Sequence, residues 1–425
     1  MVKFNWNKRG CFKWDKKLLY TVVCVCMAFV LLCSAVIGGI VLFSSRNDKI
    51  KAPDFDEIRG TWIASVYNLN FPSRADLTEN EIEGELDEIV KTAKEAGLNT
   101  VFFQVRPSSD ALYKSDIFPV SRYLSSTGEM TADPLEYIIE AAHREGISVH
   151  AWINPLRVAV SGSLDDLDEE NPARIHPEWC VKYADGKFYY DCGNPSVREL
   201  VADGVREIIR NYDVDGIVFD DYFYPYPVYD ENGEISPFDD GDTYEKYGED
   251  FDTVEDFRRE SVNSLVRLVY DTVKEENGEC LFGVSPFGIW KNGYGGDEGS
   301  KTAGSQSYYD IYCDSVAWIQ GSYIDYIAPQ LYWRENEKAA PYTALCDWWA
   351  NTTEDTGVGL VICHGAYRYA EWESPQGTLT EQVQYADQKS SYKGSLYYGY
   401  RQIAENTCGI REEIKSLYEK PLTEN

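Results

Sequence analysis

Asp220 and Asp221 are the residues of this 425-residue chain best suited to chemistry. They stand in the run Asp215-Gly216-Ile217-Val218-Phe219-Asp220-Asp221-Tyr222-Phe223-Tyr224-Pro225, a short apolar stretch that meets two carboxylates and then an aromatic loop. Parallel α/β proteins place reacting groups at the carboxyl ends of buried strands. Carboxyl groups there suit cleavage of glycosidic bonds, where one acts as nucleophile or base and another as acid. Side chains alternate along a strand, so Val218, Asp220 and Tyr222 are expected on one face and Ile217, Phe219 and Asp221 on the other. Asp220 is thereby expected to point into the site, while Asp221 orients a neighbour or bonds the next loop. Candidates for the second carboxyl, by position, are Asp110, Asp221, Glu335, Glu371 and Glu373; Glu335, just after an aromatic pair, is expected opposite Asp220. The plainer role for a strand-end Asp is a helix cap or structural ion pair, and the polar character of the other strand ends weighs against it.

Eight strand patterns alternate with eight helical ones. The strands are expected at 58–65, 100–106, 148–154, 216–222, 281–287, 326–333, 358–364 and 395–400. The helices fall at 80–96, 133–145, 194–211, 254–276, 308–323, 342–353, 380–390 and 410–418. Helices leave through Gly97-Leu98, Gly146-Ile147 and Asp215-Gly216 straight into strands, while the segments after strands 3, 4 and 5 are long. Short αβ turns and long βα loops predict an α/β fold, a (β/α)8 TIM barrel over 57–420 with a tail at 421–425. A doubly wound sheet would need a Gly-rich loop after its first strand, and Val66-Tyr67-Asn68-Leu69-Asn70 stands there instead. Substrate-binding candidates at the strand ends are Arg59 and Trp62, Gln104 and Arg106, Asn154, Tyr222 and Tyr224, and Gln330, Tyr332 and Trp333.

The N-terminus reads differently. Residues 1–19 are basic, and 20–43 run without a charge for roughly 36 Å of helix, long enough to cross a bilayer. This run is longer than the apolar region of a secretory signal and lacks a clear small-residue cleavage site. One transmembrane signal-anchor is therefore expected at 20–43, in contact with the lipid bilayer, followed by a linker at 44–56. The remainder would lie on the extracytoplasmic side of the cell membrane. The first 51 residues carry nine basic and two acidic side chains, a local +7, which leaves −38 of the net −31 for the rest. That balance excludes nucleic acid as a partner and suits a neutral or cationic substrate. The 32 tyrosines and 11 tryptophans suit stacking on sugar rings, although many must be ordinary core. Seven scattered cysteines beyond residue 100 form no CxxC and predict neither a zinc site nor a disulfide framework. No HExxH and no P-loop occur, and Ser285 lacks the second glycine of a nucleophile elbow. Asp230, Asn232 and Glu234 mimic the start of a calcium loop, but Ile235 stands where glycine is needed, so a solvated acidic loop is expected. No metal and no cofactor is expected.

Six separated motifs carry a resemblance. Arg59-Gly60-Thr61-Trp62, Phe103-Gln104-Val105-Arg106, Ala151-Trp152-Ile153-Asn154-Pro155, Asp220-Asp221-Tyr222-Phe223-Tyr224-Pro225, Gly283-Val284-Ser285-Pro286-Phe287-Gly288 and Pro329-Gln330-Leu331-Tyr332-Trp333 fall in order at six strand ends. Together they resemble the glycosyl-hydrolase-like family 10, bacterial extracytoplasmic barrels, over roughly residues 56–405. The resemblance implies hydrolysis of glycosidic bonds in a cell-envelope polysaccharide, with peptidoglycan glycan strands as one such substrate. It also carries the role of nucleophile onto Asp220, and fixes no acid partner. Chitinases differ: in their DGxDxDxE pattern the final Glu is the acid, whereas here Val218 replaces the middle Asp and Tyr222 the Glu. Two readings stand: a membrane-anchored glycoside hydrolase, or a barrel that binds glycan without cutting it.

Overall fold

The computed structural model of the protein describes residues 55–293 and 298–419. The basic segment, the 20–43 run and the 421–425 tail lie outside them, and among the described residues no helix is long and apolar enough to cross a membrane.

The strands are β1 (Ile58–Ile63), β2 (Thr100–Arg106), β3 (Ser148–Ile153), β4 (Gly216–Phe219), β5 (Leu281–Val284), β6 (Tyr326–Ile327, resumed at Gln330–Leu331), β7 (Gly359–His364) and β8 (Tyr392–Tyr397). Each pairs in parallel with the next, and β8 returns to β1, which closes the barrel. Around it lie α1 (Glu79–Glu95), α2 (Pro134–Arg144), α3 (Pro195–Asn211), α4 (Val254–Glu276), α5 (Ser315–Gly321), α6 (Tyr342–Thr353), α7 (Thr378–Ala386) and α8 (Ile410–Glu419). Their starts follow from capping residues. Thr78 and Glu81 form a capping box, and Asp133 and Asn194 cap helices that begin with proline.

Two expected elements are broken, each for a local reason. Pro329 has no N–H to donate, and β6 is interrupted there. The helix expected at 308–323 is two pieces, because Tyr312 adopts φ 55° and Asp314, accepting from Ala317 N, caps a new start at Ser315.

Sheet alternation sorts the core into two. Ile217 and Phe219 join the large layer between sheet and helices, whereas Val218 joins Trp62, Phe102, Trp152, Tyr326, Val361 and Leu396 inside the barrel. Gly216 and Gly283 make room there: a Cβ at either would lie within 2.6 Å of the ring of His150 or Tyr326. His150 Nδ1 and the Tyr326 hydroxyl share a hydrogen bond of 2.9 Å, so the N-terminal end of the barrel is plugged. Asp325 lies at that end and pairs with Lys274 at 2.7 Å. The long segment after β3 folds into a small antiparallel sheet of Arg157–Ala159, Phe188–Tyr190 and Cys180–Lys182. The seven described cysteines are free thiols. Asp230 caps an exposed turn by accepting from the backbone of Asn232 and Glu234, as suits a solvated loop.

Candidate active site

β4 ends at Phe219, so the two-residue alternation stops before the carboxylates. Asp220 and Asp221 are 5 % and 4 % exposed, and both face the C-terminal mouth of the barrel. Asp220 leans toward β3: its Oδ2 accepts from Trp152 Nε1 at 3.0 Å and Asn154 Nδ2 at 3.2 Å, and its Oδ1 from the Tyr222 backbone at 3.3 Å. Asp221 reaches the other way. Its Oδ1 accepts from Gln330 Nε2 at 3.0 Å, and its Oδ2 takes a short hydrogen bond from the Tyr226 hydroxyl. The expectation that Asp221 faces away from the site is thus corrected, because a released chain is not bound by the pleat. Its expected bond to the next loop is present, through Tyr226.

Burial pushes the Asp220 carboxyl up to about 7; Arg157 opposes the rise and the Asp221 charge adds to it. Burial also raises Asp221, against the hydrogen bonds from Tyr226 and Gln330. Both carboxylates are held by neutral donors. Arg157, fixed by Nε donation to the Pro107 carbonyl at 2.8 Å, supplies positive charge to both and lies 5.4 Å from the centre of the Tyr222 ring. Two buried acids on consecutive residues, with one arginine acting on both, each hold a proton more readily than a free carboxyl group does. Such a pair can present one carboxylate and one proton donor.

The mouth is walled with tyrosine. Tyr332 stacks on Tyr398 at 5.9 Å, Tyr367 meets both edge-on, and Tyr222 meets Tyr226. Trp333 packs on Phe287, which touches Tyr226. Asn154 and Gln330 bond the carboxylates and Tyr222 and Tyr332 lie near them, as the sequence suggests, whereas Trp333 reaches them only through Phe287 and Tyr226.

Other expected site residues lie elsewhere. Arg59 points outward and packs on Tyr418 of α8. A register shift between Gln104 and Arg106 turns Arg106 toward Phe118 and Gly204 of α3, away from the mouth. Gln104 is buried, and its Oε1 accepts from the Ser65 and Val66 backbones to shape the β1 loop. Trp62 fills the barrel beneath the site, donating to Cys363 Sγ and packing on Trp152. Tyr224 is core between Phe238 and Tyr312. Glu335 is exposed, and its carboxylate accepts from Thr343 N and Oγ1 at the start of α6. That bonding makes Glu335 a helix cap, which corrects its expected place across from Asp220. Trp152, Arg157 and Tyr398 stand at strand ends in the sequence without an assigned site role, and Tyr226 is the residue missed. Trp152 shows a signal in retrospect, because it stands two residues before Asn154 on the same strand face.

A closed eight-stranded parallel barrel with buried acids at its C-terminal mouth defines a TIM-barrel protein with a carboxylate site. Residues 57–377 match the family model "Glycosyl hydrolase-like 10". The chain belongs to that family. It is 36 % identical over 401 residues to "Glycosyl hydrolase YngK" of Bacillus subtilis strain 168, covering 92 % of this chain and 77 % of the relative. It is 35 % identical over 336 residues to "Glycosyl hydrolase DigH" of Escherichia coli K12, covering 74 % of each. Among solved structures, the PgaB (BpsB) glycoside hydrolase domain from Bordetella bronchiseptica superposes with a TM-score of 0.51 at 10 % identity, over 86 % of this chain and 99 % of that one. α-L-Fucosidase isoenzyme 2 from Paenibacillus thiaminolyticus gives 0.51 at 13 % identity, over 85 % of this chain and 48 % of that one. At such identities the superpositions speak to fold.

Proposed function

We propose that this protein is a glycoside hydrolase that cleaves O-glycosidic bonds of a cell-envelope polysaccharide, peptidoglycan glycan strands among them. In this reading residues 20–43 anchor it in the cell membrane and the barrel works on the extracytoplasmic side. Asp220 acts as nucleophile or base and Asp221 shares its proton as the partner acid. The observation that carries the reading is the buried Asp220–Asp221 pair, held by Trp152, Asn154, Gln330 and Tyr226 beneath a wall of tyrosines. Family membership supports it. Asn154 and Gln330 bond sugar hydroxyls as well as the carboxylates, and Tyr222, Tyr332 and Trp333 line subsites.

The test is release of reducing ends from purified wall glycan by wild type and Asp220→Asn. Loss in the variant supports the reading, and equal release by both removes Asp220 from the mechanism. A glycan-binding barrel without cleavage is the second reading. The capping role of Glu335 favours it, since it leaves the mouth without the expected opposing acid. Retained glycan binding with no release by wild type would establish that alternative. Recovery of the chain in washed membranes, lost on deleting 1–51, tests the anchor.

A further inference from the structure

With Glu335 committed to the start of α6, another side chain stands across the mouth from Asp220. In the closed barrel β8 lies four strands from β4 by either route, through β1, β2 and β3 or through β7, β6 and β5. The residue that follows β8 is Tyr398. Its neighbour Tyr397 faces the helices, and Tyr398 packs on the interior cluster that floors the mouth. Backbone and ring are both held. Tyr398 N donates to His364 O at 2.9 Å, and its carbonyl accepts from Tyr367 N at 2.9 Å. The ring stacks on Tyr332 and meets Tyr367 edge-on.

The hydroxyl sets Tyr398 apart from the other tyrosines of the mouth. Tyr226 gives its own to Asp221 and Tyr332 shares its own with Cys363, while Tyr222 and Tyr367 lie on the exposed rim. Tyr398 is half-buried, and among the described residues its hydroxyl has no hydrogen-bond partner, yet it is not sealed from water. Burial, and after it Cys363, Asp220 and Asp221, keep the phenol protonated above its usual range. Tyr222, after β4, is in turn acted on by Tyr398, so the two lie close across one cleft. A proton donor fixed in direction and left without an acceptor is preorganised for an oxygen that arrives with a ligand.

We propose that Tyr398 is a substrate-holding residue: its phenol donates a hydrogen bond to an oxygen of the sugar seated on Asp220, from the opposite side of the mouth. Tyr332 and Tyr367 fix the ring, so the donor is aimed before the sugar binds. The assignment rests on the proposed glycan-cleaving function and adds a residue to that site.

The experiment compares the full chain with Tyr398→Phe, which keeps the ring and removes only the hydroxyl. Tyr397→Phe, which removes the neighbouring hydroxyl bonded to Tyr418 at 2.7 Å, is the control and should keep the activity of folded molecules. Reducing-end release from purified wall glycan should fall about tenfold in kcat/KM for Tyr398→Phe. Its melting temperature should match wild type, and the acid limb of its pH profile should stay at about 7, since Tyr398 bonds neither carboxylate. Unchanged release by Tyr398→Phe, with a loss only in Tyr398→Leu, means that the ring is packing alone and overturns the proposal. A loss in Tyr398→Phe that comes with a lower melting temperature and a moved acid limb marks a disturbed mouth and overturns it too. Binding is read separately, by cosedimentation of Asp220→Asn with insoluble wall glycan, with and without Tyr398→Phe. If wild type releases nothing, weaker sedimentation with Tyr398→Phe keeps the contact and removes hydrolysis. Equal sedimentation, or none in either case, removes the contact.

Discussion

The two ends of this barrel treat buried acids in opposite ways. At the N-terminal end Asp325 is fully buried, paired with Lys274 at 2.7 Å and bonded by the Phe282 backbone at 2.7 Å. Below β4 the partly exposed Asp215 is likewise committed, accepting from Val149 N at 2.7 Å and hydrogen-bonding His143. At the C-terminal mouth Asp220 and Asp221 have only neutral hydrogen-bond donors, and a single arginine serves both. Burial disfavours ionisation of all three, but of Asp325, Asp220 and Asp221 only Asp325 has a cation of its own to offset it. An acid locked to a cation contributes to the fold; an acid pair held by indole, amide and phenol can gain and lose a proton.

The sharpest way to break this contrast is to neutralise one acid at each end. Asp220→Asn should lower reducing-end release by on the order of 10³-fold with the fold intact. Asp325→Asn should leave the specific activity of folded molecules near wild type. It should cost about 3 kcal/mol of stability in denaturant titration, because Lys274 is left buried without its partner. If Asp325→Asn abolished activity without loss of stability, the division between the ends would fall.

Protonation gives the next largest effect. The Asp220 carboxyl sits at about 7 in the fold against an ordinary 3.8. Between those values the folded chain holds a proton that the unfolded chain has lost, so this group's contribution to stability falls as pH rises and levels off above about 7. His150, pushed down to about 4 by burial, works the other way: its contribution is lost as pH falls from 6.5 toward 4. Asp220→Asn should therefore raise the melting temperature at pH 8 relative to wild type and leave it little changed at pH 4. A rise that is the same at both pH values would mean that Asp220 is not protonated in the fold. Release activity should fall on the acid side of about 7, as the nucleophile or base is lost.

Smaller effects sharpen the map of the mouth. Tyr226→Phe removes a donor that favours the ionised form of Asp221, so Asp221 should hold its proton to higher pH; with Asp221 as the acid, the alkaline limb of release activity should move up while the acid limb set by Asp220 does not rise. Glu335→Gln should change activity little and cost about 0.5–1 kcal/mol through the weakened start of α6, read by thermal melting. A large loss of activity in Glu335→Gln would return that residue to the mechanism.

The barrel is legible in the chain because each unit carries its own punctuation. The Asp133-Pro134 and Asn194-Pro195 starts, and the glycines that admit strands, are local signals that the fold leaves intact. α4 and α6 lie where the apolar period puts them. Site residues read from strand alternation fared according to whether the strand was regular where they stand. Asn154 and Gln330 are reached by simple counting. Arg106 is turned out by a register shift between it and Gln104, and Asp221 is brought in by the end of β4; neither event has a mark in the residue types. Tyr224 and Trp62 show the limit of an aromatic reading, since rings that fill a core and rings that receive a sugar have the same composition. The role of Arg157 is not legible in the sequence because it depends on the small sheet after β3 and on Pro107, at the end of β2, which anchors its guanidinium.

The release of the chain at Phe219 also bears on how such a site can be altered. Asp220 and Asp221 address β3 and β6 respectively, yet they are consecutive residues. Their separation is set by one peptide unit and not by the width of the sheet or the length of any loop. Insertions in the loops after β3, β4 or β5 can reshape what reaches the mouth while the spacing of the two carboxyl groups stays as it is. For protein engineering this makes the pair a fixed cassette, and the surrounding loops the part that can be exchanged to change the substrate.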